Sequence, residues 1–516
     1  MELEVQILPT DPAALQQIVS ELLKTLDEKD LRIRQLSQQL EALRRHAFGR
    51  KSEKIDPNQM VFALDEIRKL VQNVEPHTEA PRPEVPSPSP QKKNGHARKR
   101  LPEDLPRERI EYPVPESELV CFSCQARKEK IGEEVTEELE YTPASHFVRE
   151  HVRPKYACPK CEAHVSVADP PSRPIEKGKP GPGLLAHVLT SKYADHLPLN
   201  RLEGIFRRHG LQIRRSTLCD WVGDCADLLT PLIREMQKDL LMSVVIHTDD
   251  TLVPVLDVDR EHTRQGRLWA YIGDPDHANI VFDYTPDRRK EGPRLFLDGF
   301  RGYLQADAFG GYDAIFAEMA VQEVACWAHA RRYFYEAKGS DPVRAHVALG
   351  FIHELYDVER EAKEKSLSPE AKAALRQERS KPVLGKFRTW LDEQSLSVLP
   401  KSPIGEAIRY AFGQWEALNR YTENGHLEID NNLAERTLRC VAVGRKNWMF
   451  AGSDEGGRRA AVIYSLVSTC KHHGIDPFEY LRDVLTRIST LPVSRLPELF
   501  PKTWKRLKEK PIPDST

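Results

Sequence analysis

The sequence predicts an α/β protein in which a mixed sheet is interrupted by a helical block and preceded by smaller modules. Two observations carry this. From Ser243 the hydrophobic period becomes two and β-branched residues concentrate, so that SVVIHTDDT, RLWAYIGD and ANIVFDYTP read as three consecutive strands with turn residues between them. Helical and strand patterns then alternate: RRKEGPRLFLDGF as helix, GYLQADAF as a fourth strand, GYDAIFAEMA as helix and VQEVACWAH as a fifth strand. The order is βββαβαβ. An antiparallel meander that continues into parallel strands joined by helices is the ribonuclease-H arrangement, although other α/β sheets give such a string.

The length of 516 residues exceeds one ordinary core and predicts about three to five units. Charged residues make up 30 % and hydrophobic ones 40 %, a balance typical of soluble chains, with no apolar run long enough for a membrane span. The start, MELEVQILPTDP, lacks a basic segment followed by an apolar one, so the cytoplasm is the expected compartment. Nine cysteines without an export signal argue for buried or metal-bound thiols and against a disulfide framework. The net charge of −2 hides basic and acidic clusters and decides nothing about partners.

In residues 1–50, Leu15, Ile18, Leu22, Leu26, Ile33, Leu36, Leu40 and Leu43 form a coiled-coil seam, with Asp11 placed to cap the helix ahead of Pro12. Self-association into a homo-oligomer is the expectation; an amphipathic helix packed on its own core gives the same pattern. Residues 51–115, rich in Pro and charge toward their end, read as a linker. Its KKNGHARKR run suits nonspecific phosphate contact or simple solvation.

Residues 116–172 read as a zinc-binding domain. Cys121 and Cys124 in CFSC and Cys158 and Cys161 in CPKC are two CxxC turns, each able to aim two thiolates at one tetrahedral Zn²⁺ with bonds of about 2.3 Å. His146 or His151 is an alternative ligand, because the loop between the pairs is long. Four thiolates leave no open position, so this metal is structural. Cys219, Cys225, Cys326, Cys440 and Cys470 are scattered and read as buried small hydrophobes.

Residues 180–240 read as two helices around a short turn, with Ser216 as an N-cap and Arg207, Arg208, Arg214 and Arg215 where a helix-turn-helix meets DNA backbone. A helical hairpin with a basic surface fits the same residues. The sheet follows in 241–335, a polar helical insertion in 336–427, a second part of the sheet domain in 428–492, expected to pack back on the sheet, and a tail in 493–516.

Asp249 ends the first strand of the sheet and Asp307 the fourth, neighbours in the inferred order. Adjacent carboxylates at strand ends suit Mg²⁺ or Mn²⁺, which take hard oxygen ligands and keep part of their water shell. Glu435 is the best third carboxylate. Asp250 points to the opposite face of the strand, and pattern alone does not choose between it and Asp249.

HTDDT, LQADAFGGYDAIF, CWAHARRYF and DNNLAERTLRCVAVGRKNWMFAGSDEGG resemble the core motifs of TnpC-type transposases, the insertion-sequence-sixty-six family. The resemblance extends upstream through RHAFGRKSEKI, the paired CxxC motifs and KYADHLPLNRLEGIFRRHG, covering nearly the whole chain. It implies a DDE transposase whose triad, carried over by motif, is Asp249, Asp307 and Glu435, acting with two divalent ions on transposon ends and target DNA. It also implies that small accessory proteins assist. Two positions depart from the family: Asp250 stands where Glu is usual and Phe309 where Tyr is usual; neither is a presumed ligand. Asn431 and Asn432 can orient Glu435 or touch DNA, and Arg436 and Arg439 can neutralise phosphate. Arg445, Lys446 and Trp448 combine charge with a stacking ring, or else form an ion pair and a core Trp. His329, Arg331 and Arg332 follow a strand near the site and are candidate DNA contacts. A zinc-containing DNA-binding regulator with an inert sheet, or a metal-dependent nuclease that cuts without joining, uses the same residues.

Overall fold

The computed structural model describes residues 180–509 except 258, 260, 308 and 309, and before them 146–149, 151, 155–156, 166–167 and 172–175. The expected coiled coil, the linker, and Cys121, Cys124, Cys158 and Cys161 lie outside the described residues. The chain divides into two units, one of residues 73–168 and one of 1–72 with 169–516. In the smaller, the described elements are β1 (Lys155–Tyr156) and β2 (Ser166–Val167), an antiparallel pair.

The larger unit is a mixed α/β structure. It opens with α1 (Pro182–Tyr193), α2 (Leu199–Arg208) and the long α3 (Arg215–Leu240). Ser216 does not cap α3. The chain leaves extended geometry at Arg214, so the helix begins two residues too early for the Ser216 hydroxyl to stand in front of it, and no side chain caps it.

The period-two runs become β3 (Val245–Val255), β4 (Arg264–Ile272) and β5 (Ile280–Thr285), an antiparallel meander. After α4 (Glu291–Phe296) comes β6 (Gly302–Gln305), parallel to β3; after α5 (Asp313–Glu318) comes β7 (Val321–Val324), parallel to β6. The sheet order is β5-β4-β3-β6-β7. The first strand of the sheet is longer than the sequence pattern suggests, running on to Val255 through its pairing with β4, so Asp249 lies within it and not at its end, and two segments are shorter. GYLQADAF is strand only to Gln305, leaving Asp307 in the loop beyond, and VQEVACWAH is strand only to Val324, since α6 (Trp327–Ala337) starts at the tryptophan.

The helical insertion comprises α7 (Pro342–Glu364), α8 (Pro369–Leu375), a π-helical turn at Arg376–Ser380, α9 (Lys381–Ser395), α10 (Pro403–Gly413) and α11 (Trp415–Asn419). Asp341, Ser368 and Ser402 cap α7, α8 and α10. A core built on Phe334, Phe387, Leu391, Ile408 and Leu418 continues into Trp327 of α6 and Val324 of β7.

The chain then returns through α12 (Asn432–Trp448) and α13 (Asp454–His472), and ends in α14 (Pro477–Arg487) and α15 (Pro501–Glu509). As expected for this block, α12 packs on β3 and α13 on β5. Ser465 and Thr469 of α13 accept hydrogen bonds from the backbone of Phe282 (2.8 Å) and Ile280 (3.0 Å) on that strand. Gly457 permits the approach, since a Cβ there would meet the Tyr284 ring at 2.5 Å. Among the described residues no helix is long and apolar enough to cross a membrane.

Candidate active site

Parallel pairing brings the two aspartates together. His247 lies opposite Gln305, the last pair of β3 with β6; Asp249 and Asp307 each follow two residues on, and the charge of Asp307 acts on Asp249. The pleat puts His247, Asp249 and Thr251 on one face of β3, and α12 is bonded to this face at both ends. Asn431, just before the helix, lies 3.1 Å from His247 Nδ1 through its Oδ1 and donates to the Thr248 carbonyl at 2.8 Å. Near the other end, Arg445 donates to the Thr251 hydroxyl at 3.2 Å and to the Leu252 carbonyl at 2.6 Å. Glu435, in the first turn of α12, therefore crosses the face that carries Asp249.

Asp249 and Asp250 differ in their partners. The Asp250 carboxylate is only 2 % exposed and is held by Arg267 at 2.9 Å and Arg288 at 2.8 Å. Asp249 accepts the Asp250 backbone N–H at 2.7 Å and otherwise faces acids. Burial first, and then the charge of Asp307, push its carboxyl up to about 7; Asp250 and Glu435 push the same way, against the Asp250 N–H. Arg288 also reaches Asp307 at 3.6 Å. Nothing in the DRRKEG run distinguishes it as a residue that spans two aspartates.

His329 falls in the first turn of α6, with Nε2 3.7 Å from Glu435 Oε1. Burial lowers its proton affinity; the Glu435 charge opposes this and Arg332 adds to it. Its Nδ1 is buried without a hydrogen-bond partner among the described residues. Asp249, Asp307, Glu435 and His329 thus share one electrostatic environment. Among the described residues, no three His, Cys, Asp or Glu side chains are gathered tightly enough to hold a metal ion as they stand.

The remaining candidates divide. Arg332, Arg436, Arg439 and Lys446 are exposed and Arg331 is half-buried, with its guanidinium 5.8 Å from the centre of the Tyr335 ring. Arg445 is committed to β3 as described, and Trp448 is half-buried against the sheet core. Arg207, Arg208, Arg214 and Arg215 are exposed around the α2–α3 turn; Arg207 pairs with Glu203 at 3.2 Å and Arg208 donates to the Gly204 carbonyl at 3.4 Å. Of the scattered cysteines, Cys225, Cys326 and Cys470 are buried and Cys440 half-buried, but Cys219 is exposed on the outer face of α3.

Four family models match in order. Residues 35–110 match transposase C of IS166 homeodomain, overlapping the stretch expected to be a linker, and residues 118–162 match the zinc-finger binding domain of transposase IS66. Residues 177–459 match the transposase IS66 family and residues 465–501 the IS66 C-terminal element. The chain is 35 % identical over 499 residues to the uncharacterized protein y4hP of Sinorhizobium fredii (strain NBRC 101917 / NGR234), covering 91 % of this chain and 89 % of that one. It is 33 % identical over 423 residues to y4jD of the same strain, covering 78 % and 81 %.

Proposed function

The chain belongs to the IS66 transposase family, and on that premise we propose that it is a DDE-type DNA transposase. It cleaves phosphodiester bonds at the ends of its element and joins the freed 3′ ends to target DNA, on a sheet domain we read as ribonuclease-H-like. The observation that supports this reading is the docking of α12 on β3 at Asn431 and Arg445, together with the charges of Asp307 and Glu435 that both act on Asp249.

The donor set fits hard divalent cations. Three carboxylates offer oxygen ligands; burial first, and then the neighbouring acids, raise Asp249, and a bound dication would offset both. Asp249, Asp307 and Glu435 would hold Mg²⁺ or Mn²⁺, which when bound supplies Lewis-acid activation of the nucleophile and stabilises the departing oxygen. His329, disfavoured as a cation by burial, is placed to accept or hold a proton beside Glu435. Arg331, Arg332, Arg436, Arg439 and Lys446 supply positive charge for phosphate around the acids. Arg445 serves by holding α12.

The other modules complete this reading as DNA-handling parts. Cys121, Cys124, Cys158 and Cys161 hold a structural Zn²⁺, the α2–α3 arginines contact DNA backbone, and the N-terminal helix joins protomers.

The test is full-length protein with DNA carrying its element's own ends and Mg²⁺ or Mn²⁺. Wild type cleaves and joins; Asp249→Ala loses at least about a thousandfold in both while binding the ends as tightly. Strand transfer retained by that variant overturns the assignment, cutting without joining identifies a nuclease, and binding without any cutting by wild type identifies a regulator.

A further inference from the structure

The turn before α12 is bonded to each element that carries a candidate acid. Asn431 is fully buried; besides its bonds to His247 and Thr248, its backbone N–H donates to Cys326 Sγ at 3.1 Å. Thr248 immediately precedes Asp249, and Cys326 stands three residues before His329. Gln305, two residues before Asp307, donates to the carbonyls of Glu428 and Asp430 at 2.6 and 3.2 Å, and accepts from the Glu428 N–H at 3.2 Å.

Asp430 adds a link to the helical insertion. Its Oδ1 accepts the Asn432 N–H at 3.1 Å and its Oδ2 accepts the Asn432 side-chain amide at 2.6 Å, fixing the first turn of α12. The same Oδ2 accepts the Tyr356 hydroxyl at 2.9 Å. Tyr356 belongs to α7, one turn before Glu359, which grips the buried Arg376 through two bonds of 2.7 Å. Arg376 in turn donates to the carbonyls of Tyr421, Asn424 and Leu427 at 2.7, 3.1 and 2.9 Å, in the segment that leads to Asp430. Both the turn and the strand of chain feeding it are therefore fastened to one face of α7.

We propose that Tyr356 and Asp430 are positioning residues through which the helical insertion sets Glu435 against Asp249 and Asp307. This rests on the metal-dependent reading above. Glu435 lies little more than one helical turn beyond Asp430, so a tilt at the start of α12 displaces its carboxylate directly. Metal sites need their ligands held to within about 0.5 Å, and loss of an outer hydrogen bond to a ligating group costs about 10–100-fold in affinity or activity. The Tyr356 hydroxyl acts one step further out, on Asp430 and through it on the first turn of α12, from a helix remote in sequence, so the insertion is part of the site it interrupts.

The test uses full-length Tyr356→Phe, which deletes one hydroxyl and keeps the ring in its packing, with Mn²⁺ as the probe. Mn²⁺ binding, read by calorimetry without DNA, weakens about tenfold; kcat for end cleavage falls about tenfold and KM for the DNA is unchanged. Asp430→Asn, which keeps the shape of the side chain, carries the same test should Tyr356→Phe fold poorly, and gives the same direction. Wild-type Mn²⁺ affinity and kcat in a folded variant overturn the proposal. Glu435→Gln separates the two claims: if it weakens Mn²⁺ binding while Tyr356→Phe does not, only the positioning role fails; if Glu435→Gln binds Mn²⁺ like wild type, the metal-site reading fails with it.

Discussion

Asp249 sits where its ionised form is costly: half-buried, with Asp307, Asp250 and Glu435 all disfavouring its charge. A carboxyl held up to about 7 in the folded chain and near about 4 in the unfolded one binds its proton more tightly when folded. The stability this contributes is fully present below the unfolded value and is lost as pH rises toward 7. Asp249→Asn, which cannot ionise, is therefore expected to be more stable than wild type at pH 8 in EDTA. The gain is on the order of 1–2 kcal/mol, discounted because the site is partly open to solvent, and it shrinks as the pH is lowered toward 5. Scanning calorimetry across that range measures it; an Asp249→Asn protein melting below wild type at pH 8 sinks the account. The sequence showed the adjacent pair Asp249 and Asp250 but not which one faces its fellow acids. Strand alternation separates their faces without naming them, and the partners that do, Arg267 one strand over and Arg288 beyond β5, are fixed by tertiary packing.

Among the elements, the insertion depends most on one side chain. Arg376 has no exposed surface, in a π-helical turn where the widened backbone lets it reach Glu359 and three carbonyls. Replacing it with Met leaves the Glu359 carboxylate with only the longer Lys372 contact at 3.8 Å and removes the guanidinium from those carbonyls, an expected loss of about 3 kcal/mol. A second change, Glu359→Leu, is expected to restore part of it. Limited proteolysis and urea melts check both, and an unaltered Arg376→Met protein contradicts the role. Such a turn has no sequence signature, since RQERS reads as continuous helix. The meander was legible because runs rich in β-branched or aromatic residues in β3, β4 and β5 are separated by turn residues. VQEVACWAH misled because its apolar run has no period, and the change from strand to helix at Trp327 is made by packing, with the indole N–H donating to the Leu418 carbonyl at 2.8 Å. Ser216 misled because a capping residue in sequence says nothing of where the preceding turn releases the chain.

At the scale of the whole molecule, the unit containing residues 169–509 holds its own apolar core, from α1 through the sheet to α15. Zinc bound by the cysteine pairs of the other unit should then be separable from it. Elemental analysis is expected to find about one zinc per chain. Chelation at neutral pH is expected to weaken binding to the element's ends while leaving the main calorimetric transition in place. If chelation abolishes that transition, the two units do not fold independently. The fastening of the insertion to the sheet was not readable in the sequence, because its bonds join residues as far apart as Gln305 and Glu428 or Tyr356 and Asp430.

The path of the backbone has a consequence for synthesis. Two of the three proposed acids are on β3 and just past β6, but Glu435 arrives only after the whole insertion has been made. A nascent or prematurely ended chain can thus carry the cysteine pairs, the α2–α3 arginines and most of the sheet while lacking the means to break a strand. A chain ended anywhere within the insertion is therefore expected to lack strand breakage altogether, whatever DNA affinity its earlier modules confer.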